Sequence, residues 1–272
     1  MRIEALERDV LVFYGDTYQS VATAFLHNGR ALLVDALASE ADAQAMRLHL
    51  EDNLGARVQI IVMTHYMSDH MAALRVFPHA RILAHQQYMH TFLSQQARTA
   101  ADDAAFVAPT VTFTGTLRFD WGGRALELFH NPGKTMCAAA IDVPDCDLIL
   151  CGDAIVGRTV YLSSSAPESI DEALVQLRRR QRKRIVPGHI GVLEGRAFDD
   201  ARHYLRRLRE CVMEARHAGA DGAAIGRIRI EDCLSTDIQP DAFEREWHGR
   251  NLDRIRERHL FARGAPPLRA AS

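Results

Sequence analysis

The densest group of chemically reactive side chains in the sequence lies between His65 and His70. This segment reads His-Tyr-Met-Ser-Asp-His and directly follows the apolar residues 60–63. Asp69 and His70 are adjacent, so in a strand they would point to opposite faces, whereas in a loop that enters a helix both can reach one ion. We expect a helix over residues 71–76, whose positive end would support the Asp69 carboxylate. Mixed imidazole and carboxylate ligands suit zinc, iron or manganese better than calcium or magnesium.

Three other apolar runs end at a residue that can bind a metal ion or transfer a proton. Asp35 follows residues 32–34, Asp153 follows residues 148–152, and His189 follows residues 185–188. In α/β sheets the carboxyl ends of the strands meet at one crevice, where ligands bind. The sequence therefore predicts one polar site built from four distant parts of the chain.

Strand-like and helix-like segments alternate along the chain, which favours an α/β class. Short apolar runs predict strands at residues 31–34, 59–63, 80–84, 126–129, 148–151 and 184–186. Helical spacing of apolar residues predicts helices at 40–54, 86–105, 169–182, 197–218 and 241–261, the second of them either continuous or broken in the middle. Hairpins are expected within residues 22–34, turning at Asn28-Gly29, and within residues 111–129, turning at residues 120–123.

The composition predicts a cytoplasmic protein without a membrane span. Of the 272 residues, 47% are hydrophobic and 25% are charged, and the net charge is −2. This balance provides no overall attraction to nucleic acid or to acidic membranes. The five cysteines form no CxxC pair, and the first residues carry acids where a signal peptide needs an apolar run.

The basic run at residues 178–184 raises the question of nucleic-acid binding. It ends a predicted helix, where cations favour the helix dipole, and no aromatic side chains interleave for base stacking. We therefore interpret it as a solvated helix end. We expect the protein to bind a small-molecule substrate and to bind neither nucleic acid nor membranes. The apolar helical tail is compatible with a homodimer.

Taken together, the polar motifs resemble the metallo-β-lactamase superfamily, whose signature is His-x-His-x-Asp-His followed by three further ligand motifs. The matching motifs, in family order, are Asp35, His65 to His70, Asn131-Pro132-Gly133-Lys134-Thr135, Cys151-Gly152-Asp153 and Pro187-Gly188-His189. The resemblance covers roughly residues 10 to 195. It implies a four-layer αβ/βα sandwich over residues 1–195 and a helical C-terminal extension over residues 196–272 packed on it. The tail segment 247–252 also looks like tails of hydrolase-like members of unassigned function.

The sequence departs from the family pattern at two ligand positions. Met67 and Lys134 stand where the family has histidines. In the family, histidines at these two positions and at the position of His65 form the first metal pocket. A thioether is a poor zinc ligand and an ammonium repels a cation, so the resemblance implies that the first pocket is empty. The ligands it implies for the second pocket are all present: Asp69, His70, Asp153 and His189. We expect one divalent transition metal there, with zinc preferred and iron or manganese as alternatives.

The activity implied by the resemblance is hydrolysis of a small-molecule ester, thioester, lactone or phosphoester by a metal-activated water. Asp69 or Asp153 would hold and deprotonate the water, and His65 would stabilise the intermediate or protonate the leaving group. Lys134 would neutralise Asp153 and offer a positive donor to a substrate oxyanion. His65 could instead serve only as a hydrogen-bond partner of a ligand. Two other functions stay open, a metal-dependent oxidoreductase and a non-catalytic scaffold.

Several further residues have more ordinary interpretations. Asp35 is expected to orient the histidine loop, and His85 to occupy a cap or a solvated position. His130 could replace the missing ligand at Lys134, although the direction of the strand argues against it. Tyr161, with the serines at 163–165, could line the substrate entrance or form an ordinary polar loop. Residues 264–272 are expected to be frayed.

Overall fold

Two β-sheets form the centre of the fold in a computed structural model that describes residues 1–95, 98–162, 165–219 and 222–262. The first sheet contains β1 (Arg2–Glu7), β2 (Val10–Tyr14), β3 (Val21–His27), β4 (Arg30–Val34), β5 (Arg57–Val62), β6 (Arg81–His85) and β7 (Val111–Phe113), paired in chain order. The second contains β8 (Thr116–Trp121), β9 (Arg124–His130), β10 (Ala139–Val143), β11 (Leu148–Gly152), β12 (Arg184–Pro187) and β13 (Leu193–Glu194), also in chain order. The tail at 264–272 and the serines at 163 and 164 lie outside the described residues.

Helices cover the outer face of each sheet. On the side of the first sheet lie α1 (Glu40–Arg47), which continues as a π-helix (Leu48–Asn53), α2 (Ala73–Val76) and α3 (Tyr88–Leu93), followed in the chain by α4 (Ala100–Ala105). On the side of the second sheet lie α5 (Pro167–Arg178), α6 (Ala197–His217), α7 (Gly222–Ile225) and α8 (Ala242–Glu257). In the described part of the chain, no helix has the length and apolar character needed to cross a membrane.

The apolar side chains form one core between the two sheets and one core between each sheet and its helices. In β4, Leu32 and Val34 point between the two sheets, while Ala31 and Leu33 point toward the helices over the first sheet. Because both faces of β4 are buried, apolar residues follow one another along the strand and do not alternate with polar ones. The layers are therefore helix, sheet, sheet and helix, which confirms the predicted αβ/βα sandwich.

The carboxyl ends of the strands from both sheets meet at one edge of the sandwich. β4 and β5 are parallel in the first sheet, and β11 and β12 are parallel in the second. Backbone hydrogen bonds join the two sheets at this edge, from Ala139 N to Thr64 O at 2.8 Å and from Val21 N to Gly188 O at 2.8 Å. This edge holds the polar residues that follow the four strands.

The structure confirms the six predicted strands and the first hairpin, and it corrects two other expectations. Residues 111–129 do not form one hairpin, because β7 pairs with β6 in the first sheet and only β8 and β9 turn back on each other. The chain crosses between the sheets near Gly115, which looks like a turn in the sequence. The expected helix over 71–76 is shorter, since α2 begins at Ala73. The segment 86–105 is divided into α3 and α4.

Candidate metal centre

The carboxylate of Asp153 is the centre of the polar cluster at the shared edge. Its two oxygens face different partners. Oδ1 lies 3.1 Å from Nε2 of His70 and 3.3 Å from Nε2 of His189. Oδ2 accepts a hydrogen bond of 2.8 Å from Nζ of Lys134 and lies 3.4 Å from Nε2 of His65. One buried carboxylate is therefore shared between a pair of imidazoles on one side and an ammonium on the other.

Asp69 completes a ring of ligand atoms on the Oδ1 side of Asp153. Its Oδ2 lies 3.4 Å from Nε2 of His189, and its Oδ1 lies 3.9 Å from Nε2 of His70. Ligand atoms about 2.0–2.2 Å from a tetrahedral zinc ion are roughly 3.3–3.6 Å from one another. The separations of Asp153 from His70, and of both carboxylates from His189, lie close to that range, so each carboxylate fits an ion shared with these imidazoles.

Buried polar atoms without a partner support the same interpretation. Among the described residues, Nε2 of His65, Nε2 of His70, Oδ1 of Asp69 and Oδ1 of Asp153 are buried and have no hydrogen-bond partner. Leaving such atoms unpaired costs about 1–3 kcal/mol each. A cation on the Oδ1 side of Asp153 would satisfy that oxygen and Nε2 of His70 at once, whereas Nε2 of His65 lies on the Oδ2 side.

Glycine at position 188 gives the cluster its space. A Cβ atom there would lie 2.3 Å from Oδ1 of Asp153 and 2.5 Å from Cε1 of His70. The backbone of Gly188 also donates a hydrogen bond of 2.9 Å to the carbonyl of Gly152, which holds the turns before His189 and Asp153 side by side. The Pro-Gly-His turn therefore packs so closely on the ligands that no side chain fits at its centre.

The electrostatic field of the cluster favours a cation. Burial disfavours the imidazolium of His70, but the carboxylates of Asp153 and Asp69 outweigh burial and raise its pKa to about 10. Burial also opposes ionisation of Asp153, yet the Lys134 ammonium and the imidazoles of His189 and His70 hold the pKa of that carboxyl well below its usual range. The cluster thus keeps the Asp153 carboxylate ionised and favours a positive charge beside it, either a proton or a metal ion.

Oxygen atoms hold the rings of His189 and His65 from behind, whereas Nδ1 of His70 has no hydrogen-bond partner among the described residues. Nδ1 of His189 is 2.8 Å from the carbonyl oxygen of Tyr18, which fixes Nε2 toward the cluster. Asp35 accepts hydrogen bonds from the backbone and hydroxyl of Thr64, and its Oδ2 lies 3.7 Å from Nδ1 of His70. Nδ1 of His65 is 3.0 Å from the Thr64 hydroxyl. Partners of this kind orient metal-binding histidines and tune their basicity, and Asp35 has the orienting position that the sequence predicted.

Comparison with known proteins identifies the family of the chain. A family model described as "Metallo-beta-lactamase superfamily" matches residues 15–189. The chain belongs to this superfamily. None of the curated proteins matches the sequence.

Solved metallo-beta-lactamase structures share the fold at low sequence identity. One, from Pontibacter korlensis, is 17% identical with a TM-score of 0.62 and covers 73% of this chain and 95% of that one. A family protein from Thermus thermophilus is 18% identical with a TM-score of 0.63 and covers 77% and 84%. The inverting sec-alkylsulfatase Pisa1 from Pseudomonas sp. is 15% identical with a TM-score of 0.69, and the match covers 97% of this chain but only 51% of the alkylsulfatase. At these identities the likeness shows the fold alone.

Lys134 is a buried lysine in the site, with 5% of its surface exposed. The sequence contains only two lysines among its 33 basic Lys and Arg residues, and the other, Lys183, has a side chain that is 87% exposed. The chain uses arginine almost everywhere else.

The structure brings together every site residue predicted from the sequence and excludes two others from the cluster. Asp69, His70 and His189 form one group of potential ligands, and His65, His70 and Asp153 form another. His85 and His130 lie outside both groups. Their rings stack at 3.8 Å, and burial and His130 lower the pKa of His85 to about 4. Of the two positions expected for His85, the solvated one is wrong, since the residue is buried, while its Nδ1 accepts a hydrogen bond of 3.4 Å from the backbone of Gln87 at the start of α3.

Sequence reasoning missed the contribution of α8 to the site. The ring of Phe243 lies 5.4 Å from that of His189, and the ring of Trp247 lies 6.4 Å from it. Trp247 also packs on Tyr161 at 4.6 Å. Phe243 and Trp247 are four residues apart and so share one face of the helix, but this spacing is equally typical of ordinary core packing.

Proposed function

We propose that the protein is a metal-dependent hydrolase of a small-molecule ester, thioester, lactone or phosphoester, with Asp69, His70, Asp153 and His189 holding one divalent ion. The observation that carries the proposal is the division of the Asp153 carboxylate. Its Oδ1 faces two imidazoles and its Oδ2 faces the Lys134 ammonium. A metal ion is expected on the first side, while the second side already holds a fixed positive charge. Zinc is the preferred ion, with iron or manganese as alternatives.

The side chains of the cluster divide the work of hydrolysis. A bound divalent ion supplies a Lewis acid and lowers the pKa of water toward neutrality. The Asp69 side chain is 14% exposed, against 3% for Asp153, so Asp69 is the carboxylate that reaches the open side of the site. We assign it to hold the attacking water and accept its proton at the carboxylate oxygen.

Lys134 and His65 act on the substrate rather than on the water. The Lys134 ammonium is held by Asp153 and lies in a buried environment, where a fixed charge stabilises a developing oxyanion more than it would in water. Nε2 of His65 is buried without a hydrogen-bond partner beside the same carboxylate. Because the Thr64 hydroxyl donates to Asp35, it accepts from Nδ1 of His65, so Nε2 carries a proton only in the imidazolium form; in that form it would donate to the tetrahedral intermediate or protonate the leaving group.

The setting of the reaction is part of the same proposal. All five cysteines are free thiols, which agrees with a reducing compartment such as the cytoplasm. The basic side chains near the end of α5 are matched by carboxylates, as in the pairs of Arg182 with Asp142 and Arg184 with Glu7. This supports a small-molecule substrate rather than nucleic acid. The proposal is compatible with a homodimer.

Metal analysis and one substitution test the proposal. Protein purified without chelators is expected to contain one zinc per chain by elemental analysis, whereas iron would favour redox chemistry and a metal-free protein would favour a scaffold. The substrates to be tested are 4-nitrophenyl acetate, 4-nitrophenyl phosphate and 4-nitrophenyl sulfate. The sulfate ester is included because the match to the alkylsulfatase spans nearly the whole chain. Lys134→Ala should keep its zinc and lose turnover by about 10²–10³-fold, the cost of removing one oxyanion donor. Lys183→Ala is the matched control, and unchanged turnover in Lys134→Ala would refute the role of Lys134.

A further inference from the structure

The loop that follows Asp153 is anchored to α8 by one buried amide. Asn251 is fully buried, and its Oδ1 accepts a hydrogen bond of 2.7 Å from the backbone nitrogen of Leu162. Its Nδ2 donates to the carbonyl of Val160, also at 2.7 Å. The amide therefore pairs with the backbone immediately before and immediately after Tyr161, in the way a neighbouring strand would. This pairing fixes the backbone of Tyr161 from both sides.

A second contact from α8 holds the same loop closer to Asp153. Oε1 of the buried Glu244 accepts a hydrogen bond of 2.7 Å from the backbone nitrogen of Arg158. Gly157 has a φ of 59°, and a Cβ atom there would lie 2.2 Å from Oε1 of Glu244. Loop and helix thus approach so closely that only glycine fits between them. Two side chains of the same helix, Glu244 and Asn251, clamp the loop at both ends.

The residue held by this clamp contacts the ammonium of the site. Nζ of Lys134 lies 4.8 Å from the centroid of the Tyr161 ring, within the range of a cation–π interaction. A further support of that ring comes from Trp247 of α8, at 4.6 Å. Lys134 is therefore held between the Asp153 carboxylate, at 2.8 Å, and an aromatic face whose position depends on α8.

We propose that Tyr161 is the positioning residue for Lys134 and that α8, through Asn251, is a working part of the active site. This proposal rests on the proposed function, because that function gives Lys134 its catalytic role. The carboxylate fixes the distance of the ammonium from Oδ2, and the ring lies 4.8 Å away on another side of it. Loss of the ring should therefore lower kcat rather than the affinity for substrate or metal.

A purely structural role of Asn251 is the competing explanation. Its Nδ2 also donates to the hydroxyl of Tyr204, at 2.9 Å, and Tyr204 in turn contacts His248. Loss of Asn251 would therefore destabilise the packing of α6 and α8 whatever happens at Tyr161. Leu252 provides the matched control, because it is the next residue of α8, is buried in the apolar core beside α6 and has no polar group that could pair with the loop backbone.

The kinetic experiment compares Asn251→Ala, Leu252→Ala, Tyr161→Leu and Tyr161→Phe, with 4-nitrophenyl acetate as the probe and zinc content and Tm measured in parallel. Asn251→Ala and Tyr161→Leu should lower kcat about tenfold, with KM and zinc content unchanged. Tyr161→Phe keeps the ring and should recover most of that loss. The proposal is overturned if Tyr161→Leu keeps the wild-type kcat, or if Leu252→Ala loses as much kcat as Asn251→Ala.

A spectroscopic experiment tests the same contact without any turnover. Because the chain has two lysines, protein labelled with ¹³C-lysine gives two sets of side-chain signals, and Lys183→Arg leaves only those of Lys134. Tyr161→Leu and Asn251→Ala should shift the Lys134 ε-methylene signal by removing the ring current, and Leu252→Ala should not. If wild-type protein hydrolyses no probe, the proposed function fails while this contact can still be confirmed. If the Lys134 signal is the same in all variants, the positioning role is refuted.

Discussion

Replacing Lys134 and Met67 with histidine should convert the centre from one metal ion to two. Nζ of Lys134 is 2.8 Å from Oδ2 of Asp153, and an ion bound to that oxygen would be about 2.0 Å from it. The ion and the ammonium could then be at most about 4.8 Å apart. At an effective dielectric constant of about 20, a dication and an ammonium at that distance repel by about 7 kcal/mol. This repulsion corresponds to about five orders of magnitude in affinity for the second ion.

The stoichiometry of bound zinc measures this effect directly. Wild-type protein dialysed against micromolar zinc should retain one ion per chain, and the Met67→His, Lys134→His double variant should retain two, read by elemental analysis with a chelator titration for the affinities. Lys183→His, at the exposed lysine, controls for the mere addition of a histidine. The reasoning fails if wild-type protein binds two ions at micromolar zinc, or if the double variant, with its Tm unchanged, binds only one.

Three further outcomes follow from single residues. The pKa of His70 is raised to about 10, so the imidazole is protonated at pH 7.5 and zinc binding there should release about one proton. The zinc affinity should therefore increase about tenfold for each unit by which the pH is raised toward that pKa. Calorimetry in two buffers measures both the proton release and the affinity. Gly188→Ala should fold but bind zinc weakly in the same titration, since its Cβ would lie 2.5 Å from Cε1 of His70. Arg202→Met should lower the free energy of unfolding by about 3–5 kcal/mol in urea, because it leaves the Asp171 carboxylate buried without its 2.7 Å partner; a loss below about 1 kcal/mol would contradict this.

The part of the site that the sequence predicts is the part made by strand ends. Asp35, Asp153 and His189 each follow an apolar run, with at most a short Gly or Pro-Gly turn between. Parallel pairing of such strands forces their ends to one edge, so proximity follows from topology before any side-chain geometry is known. Apolar runs do not predict β1, because this edge strand is partly exposed along its length and so has no continuous apolar run.

The part that the sequence does not predict is made by single side-chain contacts across long separations. Asn251 bonds to backbone atoms of residues 160 and 162, which lie 91 and 89 positions earlier in the chain. Nothing in the local pattern of an amphipathic helix distinguishes an asparagine that pairs with a distant backbone from one that faces solvent. The contact of Tyr161 with Lys134 has the same character, since a tyrosine in a polar loop carries no periodic signal.

The replacement of a metal ligand by lysine, in a chain that otherwise uses arginine, has a chemical consequence. An ammonium and a second metal ion could both neutralise Asp153, but only the ammonium carries protons that it can donate in a hydrogen bond to a substrate oxygen. An arginine would fit this position less well, because its planar guanidinium is larger than the ammonium and is suited to bidentate pairing, whereas only Oδ2 of Asp153 faces Lys134. A lysine is compact enough to stand beside His65 at that oxygen and to be aimed by one aromatic ring. The proposed function therefore makes the centre asymmetric, with the metal ion on the Oδ1 side of Asp153 and a proton donor on the Oδ2 side.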